Sequence, residues 1–359
     1  MRILIVKLGS IGDIVHTLPA LAAIRRSFPE AEIGWVVERR SAEILRGNAL
    51  IDRLIEIDTA KLRRRAKVEE LVGELRRQVR EIKSLKFDIA LDFQGLVKSA
   101  LVAKLSGAKR RWGFARSERR ERASGFLLTN KVEIPEKTHV IEKNLLLARA
   151  ALGLDAPTRV FEFPIATSPQ EERDAANLAD RLGGRFAILN PGGGWATKLW
   201  PAENFGRLAD KLWEEFKLES ILVTGPGEGP LATRAVAASS SGTLRTAEPS
   251  LKAFYELARK ATVYVGGDTG PTHIAIAAGA PIVGIFGPTE WWRNGSIRPD
   301  DICVERTDID CRVDCHRRRC SNWICMDIEV DRMFRAVEER ITRAGYSSIL
   351  SNLNGKKAR

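Results

Sequence analysis

Residues 1–21 read MRILIVKLGSIGDIVHTLPAL. A short apolar run, residues 2–7, stops at a turn containing Gly9 and Gly12. Ile14, Leu18, Leu21, Ala22 and Ile24 then recur at helical spacing. Strand, glycine-bearing turn and helix in that order predict the opening of a Rossmann-like unit. The same alternation continues outward. Residues 32–38 and 51–57 read as strands, 61–86 as a charged helix, 87–92 as a strand and 95–106 as a helix. Alternating β and α predicts a parallel sheet covered on both faces.

Residues 155–170 carry three prolines and read as a linker, after which the pattern restarts. Strands are expected at 185–190, 219–224, 262–266 and 281–286, and helices at 202–217, 250–260 and 271–279. The expected organisation is a first Rossmann-like domain over 1–160, a second over 161–335 with a cysteine-rich segment at 303–325, and a C-terminal helix and tail over 336–359. A chain of 359 residues is long enough for two such domains.

Composition narrows the function classes. Apolar residues are 44% and charged residues 29%, a globular mixture, and no run of 18 apolar residues is available to span a bilayer. The first residues lack the long apolar region of a secretory signal, so the five cysteines are expected in a reducing cytoplasm. The net charge of +12 favours a polyanionic partner. Residues 61–86 hold ten Lys/Arg against four Glu, and residues 104–122 hold eight against two. Standard nucleic-acid motifs and interleaved aromatics are missing from these runs, so no nucleic-acid partner is expected.

Four constellations could carry chemistry. At the first strand's end, Ser10, Gly12 and Asp13 lie in a G-x-x-G turn rather than a dinucleotide fingerprint. Asp13 there reads either as a helix N-cap or as a general base. Residues 191–198, PGGGWATK, follow a strand and suit an anion cradle, with Gly193 and Gly194 offering amides and Lys198 a cation. Residues 266–273, GGDTGPTH, bring backbone amides, the Thr269 hydroxyl and a helix start together as a diphosphate would require, with Asp268, Gly270 and His273 alongside. Cys311, Cys315, Cys320 and Cys325 fall within fifteen residues, with Cys303 before them and His316 among them. Structural metal, redox disulfides and plain packing all remain open for these thiols, and no catalytic role is assigned to them because they fall outside the expected nucleotide site.

Together these motifs resemble glycosyltransferase family 9, the lipopolysaccharide heptosyltransferases, and within it the type I enzymes. The resemblance runs from the opening residues through DFQGLVKSALVAKLSG to VGGDTGPTHIAIAAGAPIVGIFGPTE. It implies an α/β GT-B fold, two doubly wound Rossmann-like domains facing each other across a cleft. It implies transfer of heptose from ADP-L-glycero-D-manno-heptose to the first Kdo of Kdo2-lipid A, with inversion and with no cofactor required. Asp13 matches the family's base, with Ser10 and Gly12 beside it. Lys198, Asp268, Thr269, Gly270 and His273 match the donor-binding positions, and Glu228 matches an acidic residue on the adenosine ribose. Arg63, Arg64, Arg119 and Arg120 fall where the family binds anionic acceptor groups. The implied location is the inner face of the inner membrane, as a peripheral cytoplasmic enzyme. The alternatives are a related transferase of type II or III, a GT-B-like epimerase, and a non-enzymatic nucleotide-responsive nucleic-acid binder.

Overall fold

The computed structural model describes residues 1–58, 77–155, 161–311, 315 and 317–344. The chain divides into two compact units, Met1–Ala166 and Thr167–Arg359. Arg63 and Arg64, most of the expected helix over 61–86, and His316 lie outside the described residues; residues 77–84 of that helix are helical.

In the first unit the strands are β1 (Arg2–Val6), β2 (Glu32–Glu38), β3 (Arg53–Ile57), β4 (Ile89–Asp92), β5 (Arg110–Phe114) and β6 (Asn130–Val132). The helices are α1 (Ile11–Val15), α2 (Leu18–Ser27), α3 (Val97–Leu105) and α4 (Val140–Leu152). All strand pairs are parallel, in the order β3-β2-β1-β4-β5-β6. Ile3 to Val6 are buried on both faces, which is why this strand reads as a continuous apolar run rather than an alternating one. The single helix expected from Ile14 to Ile24 is two helices. Proline lacks the N–H that a helix interior needs, and Pro19 instead lies in the first turn of α2, where that N–H has no intrahelical acceptor.

The second unit repeats the plan. Its strands are β7 (Phe186–Asn190), β8 (Glu219–Val223), β9 (Leu244–Ala247), β10 (Val263–Gly267), β11 (Ile282–Phe286) and β12 (Ile302–Glu305). Its helices are α5 (Pro169–Asp180), α6 (Ala202–Phe216), α7 (Gly229–Ala237), α8 (Leu251–Lys260), α9 (Gly270–Ala278), α10 (Trp291–Asn294) and α11 (Val330–Arg343). The sheet order is β12-β11-β10-β7-β8-β9, again all parallel. The expected linker ends inside this unit. Ser168 caps α5, its N–H donating to Glu171 Oε2 at 2.6 Å, and Pro169 begins the helix. One core, including Phe205, Leu208, Leu212, Val265, Ile285 and Val337, packs α6 and α11 on this sheet.

In each sheet the strand order reverses beside the first strand, between β1 and β4 and between β7 and β10. Open parallel sheets bind ligands beyond the carboxyl ends of the strands at such a reversal. Lys7–Asp13 follows β1, and Phe93–Gln94 follows β4. The 191–198 loop follows β7, and Asp268–His273 follows β10. Both topological switch points therefore carry the residues singled out from sequence. Among the described residues, no helix is long and apolar enough to cross a membrane.

Candidate active site

In the first unit, the first candidate is not the N-cap of α1. Ser10 holds that position, and Asp13 sits one turn inside. Asp13 Oδ2 accepts from the Ser10 N–H at 3.0 Å and from Ser10 Oγ at 3.3 Å, the reciprocal half of a capping box. Its other oxygen, Oδ1, faces two cations, Lys7 Nζ at 3.6 Å and Arg120 Nη2 at 3.7 Å. Burial pushes this carboxyl's pKa up. Lys7, Arg120 and the Ser10 N–H together outweigh burial and hold it well below the usual carboxylate range. Asp13 thus caps with one oxygen and presents the other, ionised, to a basic surround.

Lys7 and Asp92 were not singled out from sequence. Lys7 follows the apolar β1 and is buried, its ammonium donating to the Phe93 carbonyl at 2.8 Å. Burial lowers its pKa, and Asp13 partly restores it. Asp92 pairs in register with Val6, and its Oδ1 accepts from the Gln94 and Gly95 N–H groups at 3.0 and 3.2 Å. Burial raises its pKa to about 6. A lysine directly after the apolar run Ile3–Val6 was a readable signal, since a buried lysine needs a partner. Asp92 at the end of a strand gave no comparable sign.

The raised carboxyl predicts a pH-dependent stability. With a folded pKa of about 6 and an unfolded value of about 3.9, the unfolded chain ionises first as pH rises. Stability from this group is therefore greatest below pH about 4, falls between about 4 and 6, and is level above. Asp92→Asn keeps the acceptor for Gln94 and Gly95. It should leave stability at pH 4 nearly unchanged and raise it by about 2–3 kcal/mol at pH 8. Chemical denaturation at the two pH values measures this, and an equal change at both would reject it.

Of the two described arginine candidates, Arg120 reaches Asp13, whereas the Arg119 guanidinium lies over Gly125, where a Cβ would come within 1.2 Å of it.

In the second unit, Lys198 lies in a short 3-10 turn after β7 and donates to Asp268 Oδ2 at 2.6 Å and to the Asp268 carbonyl at 3.2 Å. An ammonium has three donors, so this geometry leaves one for a ligand. The Trp195 ring lies 4.3 Å from the same nitrogen. His273 Nε2 is 3.1 Å from Asp268 Oδ1. Burial raises the Asp268 pKa, but His273 and Lys198 more than reverse this and drive it far below the normal range. The Lys198 ammonium thus balances the Asp268 charge.

The Thr269 hydroxyl, expected to face a diphosphate, is turned inward instead. It is buried, 3.3 Å from both Asn190 Oδ1 and Thr272 Oγ1, and Thr272 in turn bonds the Gly267 carbonyl and the Tyr264 hydroxyl. These bonds fix the start of α9. At the start of α9 the Gly270 and Thr272 N–H groups have no intrahelical acceptor and Pro271 has no N–H, an arrangement suited to an anion.

Glu228 ties two loops together. Its Oε1 accepts from the Gly193 N–H at 3.0 Å and its Oε2 from the Gly225 N–H at 2.7 Å. A Cβ on Gly192 would stand 2.1 Å from this carboxylate, so only glycine allows the approach. Gly194 has open space around it.

The cysteine-rich segment is not remote from this cluster, contrary to the sequence reading. Thr197 Oγ1 donates to the Arg317 carbonyl at 2.7 Å, the Trp323 indole donates to the Thr197 carbonyl at 3.0 Å, and Arg318 lies over the Trp195 ring. The segment packs on the loop that carries Lys198. Cys311, Cys315, Cys320 and Cys325 are free thiols, and the Cys325 thiol is pushed up by burial and by its three neighbours. Among the described residues, no group of three or more His, Cys, Asp or Glu is gathered as a metal ion would need.

The sequence profile of glycosyltransferase family 9 (heptosyltransferase) matches residues 75–323. The chain belongs to glycosyltransferase family 9. This family 9 chain is 29% identical over 290 residues to lipopolysaccharide heptosyltransferase 1 of Pseudomonas aeruginosa, covering 80% of this chain and 79% of that protein. It is 28% identical over 292 residues to an Escherichia coli protein of the same name, covering 81% and 89%. Among solved structures it resembles the E. coli heptosyltransferase WaaC with ADP, with TM-score 0.73 and 23% identity over 96% of this chain and 99% of that one. A family 9 glycosyltransferase from Veillonella parvula superposes with TM-score 0.79 at 20% identity, covering 95% and 97%. These likenesses agree with the GT-B class expected from the motifs. As a family 9 member the chain is a glycosyltransferase enzyme.

Proposed function

We propose that this family 9 enzyme transfers heptose from ADP-L-glycero-D-manno-heptose to the first Kdo of Kdo2-lipid A, in assembly of the lipopolysaccharide inner core. The relatives named above as heptosyltransferase 1 support the reaction class, and the structurally similar E. coli heptosyltransferase WaaC has been captured with ADP and with an ADP-2-deoxy-2-fluoro heptose. The observation that carries the reading is the geometry of Asp13, one oxygen used for capping and the other turned toward Lys7 and Arg120.

In this mechanism the acceptor hydroxyl attacks the anomeric carbon as its proton passes to Asp13. The bond to the ADP oxygen breaks in the same displacement, which inverts the centre. Negative charge growing on the diphosphate meets the remaining donor of Lys198 and the first-turn amides of α9. So acidic a carboxylate is a weak base by itself. An acceptor carboxylate that engages Arg120 would draw that cation off Asp13 and raise the base's proton affinity as attack begins. The donor roles of Ser10, Gly12, Gly193, Gly194, Glu228 and His273 belong to the same proposal, with Glu228 and His273 holding the loops and Asp268 in place. The location is proposed as peripheral, at the cytoplasmic face of the inner membrane, where the net charge of +12 meets anionic lipid.

The test is release of ADP from ADP-heptose with and without Kdo2-lipid A. Release that requires the acceptor is expected. Donor turnover without any acceptor would point to an epimerase or hydrolase, and absence of turnover with ADP-heptose would remove the proposed donor.

A further inference from the structure

One face of the first unit combines apolar exposure with positive charge and is not used by the chemistry above. Val97, Leu101 and Leu105 recur at four-residue spacing along α3, so they form one stripe. All three are exposed, whereas Ser99, Ala100 and Ala103 on the opposite side of the helix are buried. The 3-10 segment Arg122–Leu127 packs on α3 and carries Phe126, which is 91% exposed. Scattered exposed apolar residues are ordinary, but four on two adjoining elements form a patch that calls for a partner.

The charge around this patch is predominantly positive: residues 93–122 hold nine Lys/Arg against two acidic residues, Glu118 and Glu121. Lys98 and Lys104 flank the stripe on α3 itself, and the exposed Arg122 opens the segment bearing Phe126. Lys98 also pairs with Glu38 at 2.5 Å, leaving Lys104 and Arg122 as the cations on which the charge argument rests. An apolar stripe flanked by long basic side chains is the arrangement of an interfacial element, in which the apolar groups enter the lipid and the cations meet the headgroups.

The patch is also wired to Asp13. Glu121 Oε2 accepts from the Val97 N–H at 2.7 Å, and the Glu121 N–H donates to the Gly95 carbonyl at 3.3 Å, fastening this segment to the start of α3. The residue before it, Arg120, is the one that reaches Asp13. A bilayer bound at Phe126 would therefore lie next to the loop that contacts the proposed base.

We infer that Val97, Leu101, Leu105 and Phe126, with Lys104 and Arg122, form the surface by which this enzyme docks on an anionic phospholipid bilayer. The choice of a bilayer over another apolar partner rests on the proposed lipid-linked acceptor, on the net positive charge of residues 93–122 and on the proximity to Arg120. Docking would hold the acceptor's anchor in the leaflet while its sugar reaches Asp13.

The experiment is co-sedimentation with vesicles of phosphatidylethanolamine and phosphatidylglycerol, and with vesicles of phosphatidylcholine alone. It uses the full chain, the double variant Leu101→Gln/Phe126→Ser and the double variant Lys104→Ala/Arg122→Ala. Thermal melting checks that each is folded. The wild type should bind the anionic vesicles, and added salt should weaken this binding. The apolar double variant should bind roughly tenfold more weakly or worse, because its side chains no longer leave water. The charge variant should bind more weakly at low salt and lose much of the salt dependence. Equal binding by wild type and the apolar double variant would overturn the inference. So would a wild-type dimer without vesicle binding that Phe126→Ser disperses, which would assign the face to a second copy. Transfer to a water-soluble Kdo acceptor should be unchanged in the apolar double variant. If the wild type binds vesicles but transfers no heptose to that acceptor, the proposed function fails while the docking surface stands.

Discussion

Asp13→Asn is expected to lower kcat for acceptor-dependent ADP release by about 100- to 10,000-fold, the range for loss of a positioned general base. The substitution is chosen because an amide oxygen can still accept from the Ser10 N–H, the bond that Asp13 Oδ2 makes at 3.0 Å. The cap is therefore retained and the base is not. Asp13→Ala removes both, and should lower stability through loss of the reciprocal capping-box bond in addition to the same catalytic loss. If Asp13 were only a capping residue, Asp13→Asn would leave kcat near wild type. The pH profile supplies a second readout. Because Lys7, Arg120 and the Ser10 N–H outweigh burial and depress this pKa, Asp13 is ionised above the ordinary carboxylate range. The kcat/KM of the free enzyme should then show no acid limb from Asp13 above about pH 4. The same depressed pKa links to stability with a definite sign. Its contribution is fully present above the unfolded value of about 3.9 and is lost as pH falls through the lower folded value.

Lys198→Ala should reduce kcat by about 100- to 1,000-fold, as expected when a cation aimed at a charge-developing leaving group is removed. The geometry adds a cost in folding. Lys198 and Asp268 are both largely buried and joined at 2.6 Å, so truncating the lysine leaves a buried carboxylate short of a partner. Breaking a buried pair costs about 3–5 kcal/mol, and the surviving His273 contact should keep the loss at the lower end or below. Lys198→Arg should rescue stability more than rate. The guanidinium retains the charge, but its flat fork cannot repeat the two bonds to the Asp268 carboxylate and carbonyl and still direct a third donor outward. Rate measured well below the melting temperature separates the two effects. Unchanged ADP release with a lowered melting temperature would make Lys198 a structural residue only.

The elements that periodicity found and missed follow a physical division. The inner strands β1, β4, β7 and β10, buried on both faces, appear in the chain as continuous apolar runs. Among the missed strands, β6, β9 and β12 are sheet edges, and β5 lies one place in from an edge and begins with two arginines. Edge strands bury less, so β9 alternates little and exposes Arg245 and Thr246. The linker reading of 155–170 missed the start of α5 because Pro169, which breaks a helix interior, is favourable in a first turn.

The same division holds at the site. Each loop was legible because glycine clusters after apolar runs mark the carboxyl ends of parallel strands, and the order of the motifs was enough to indicate family 9. The strand alternation and the doubly wound class of each half were likewise written in the chain, since burial on both faces imposes an apolar run that survives as a linear pattern. Pairings across the sheet reversal were not. Lys7 meets Asp13 nearby in sequence but owes its burial to Phe93 and Asp92, which lie beyond two intervening strands. Lys198 meets Asp268 across seventy residues, the Thr269 hydroxyl turns toward Asn190 rather than outward, and Thr197 finds the cysteine-rich segment. Which side chain neutralises which charge depends on distances of a few ångströms between segments that only the folded sheets bring together. Coulomb and hydrogen-bond energies change over that same length, so the tertiary structure decided them.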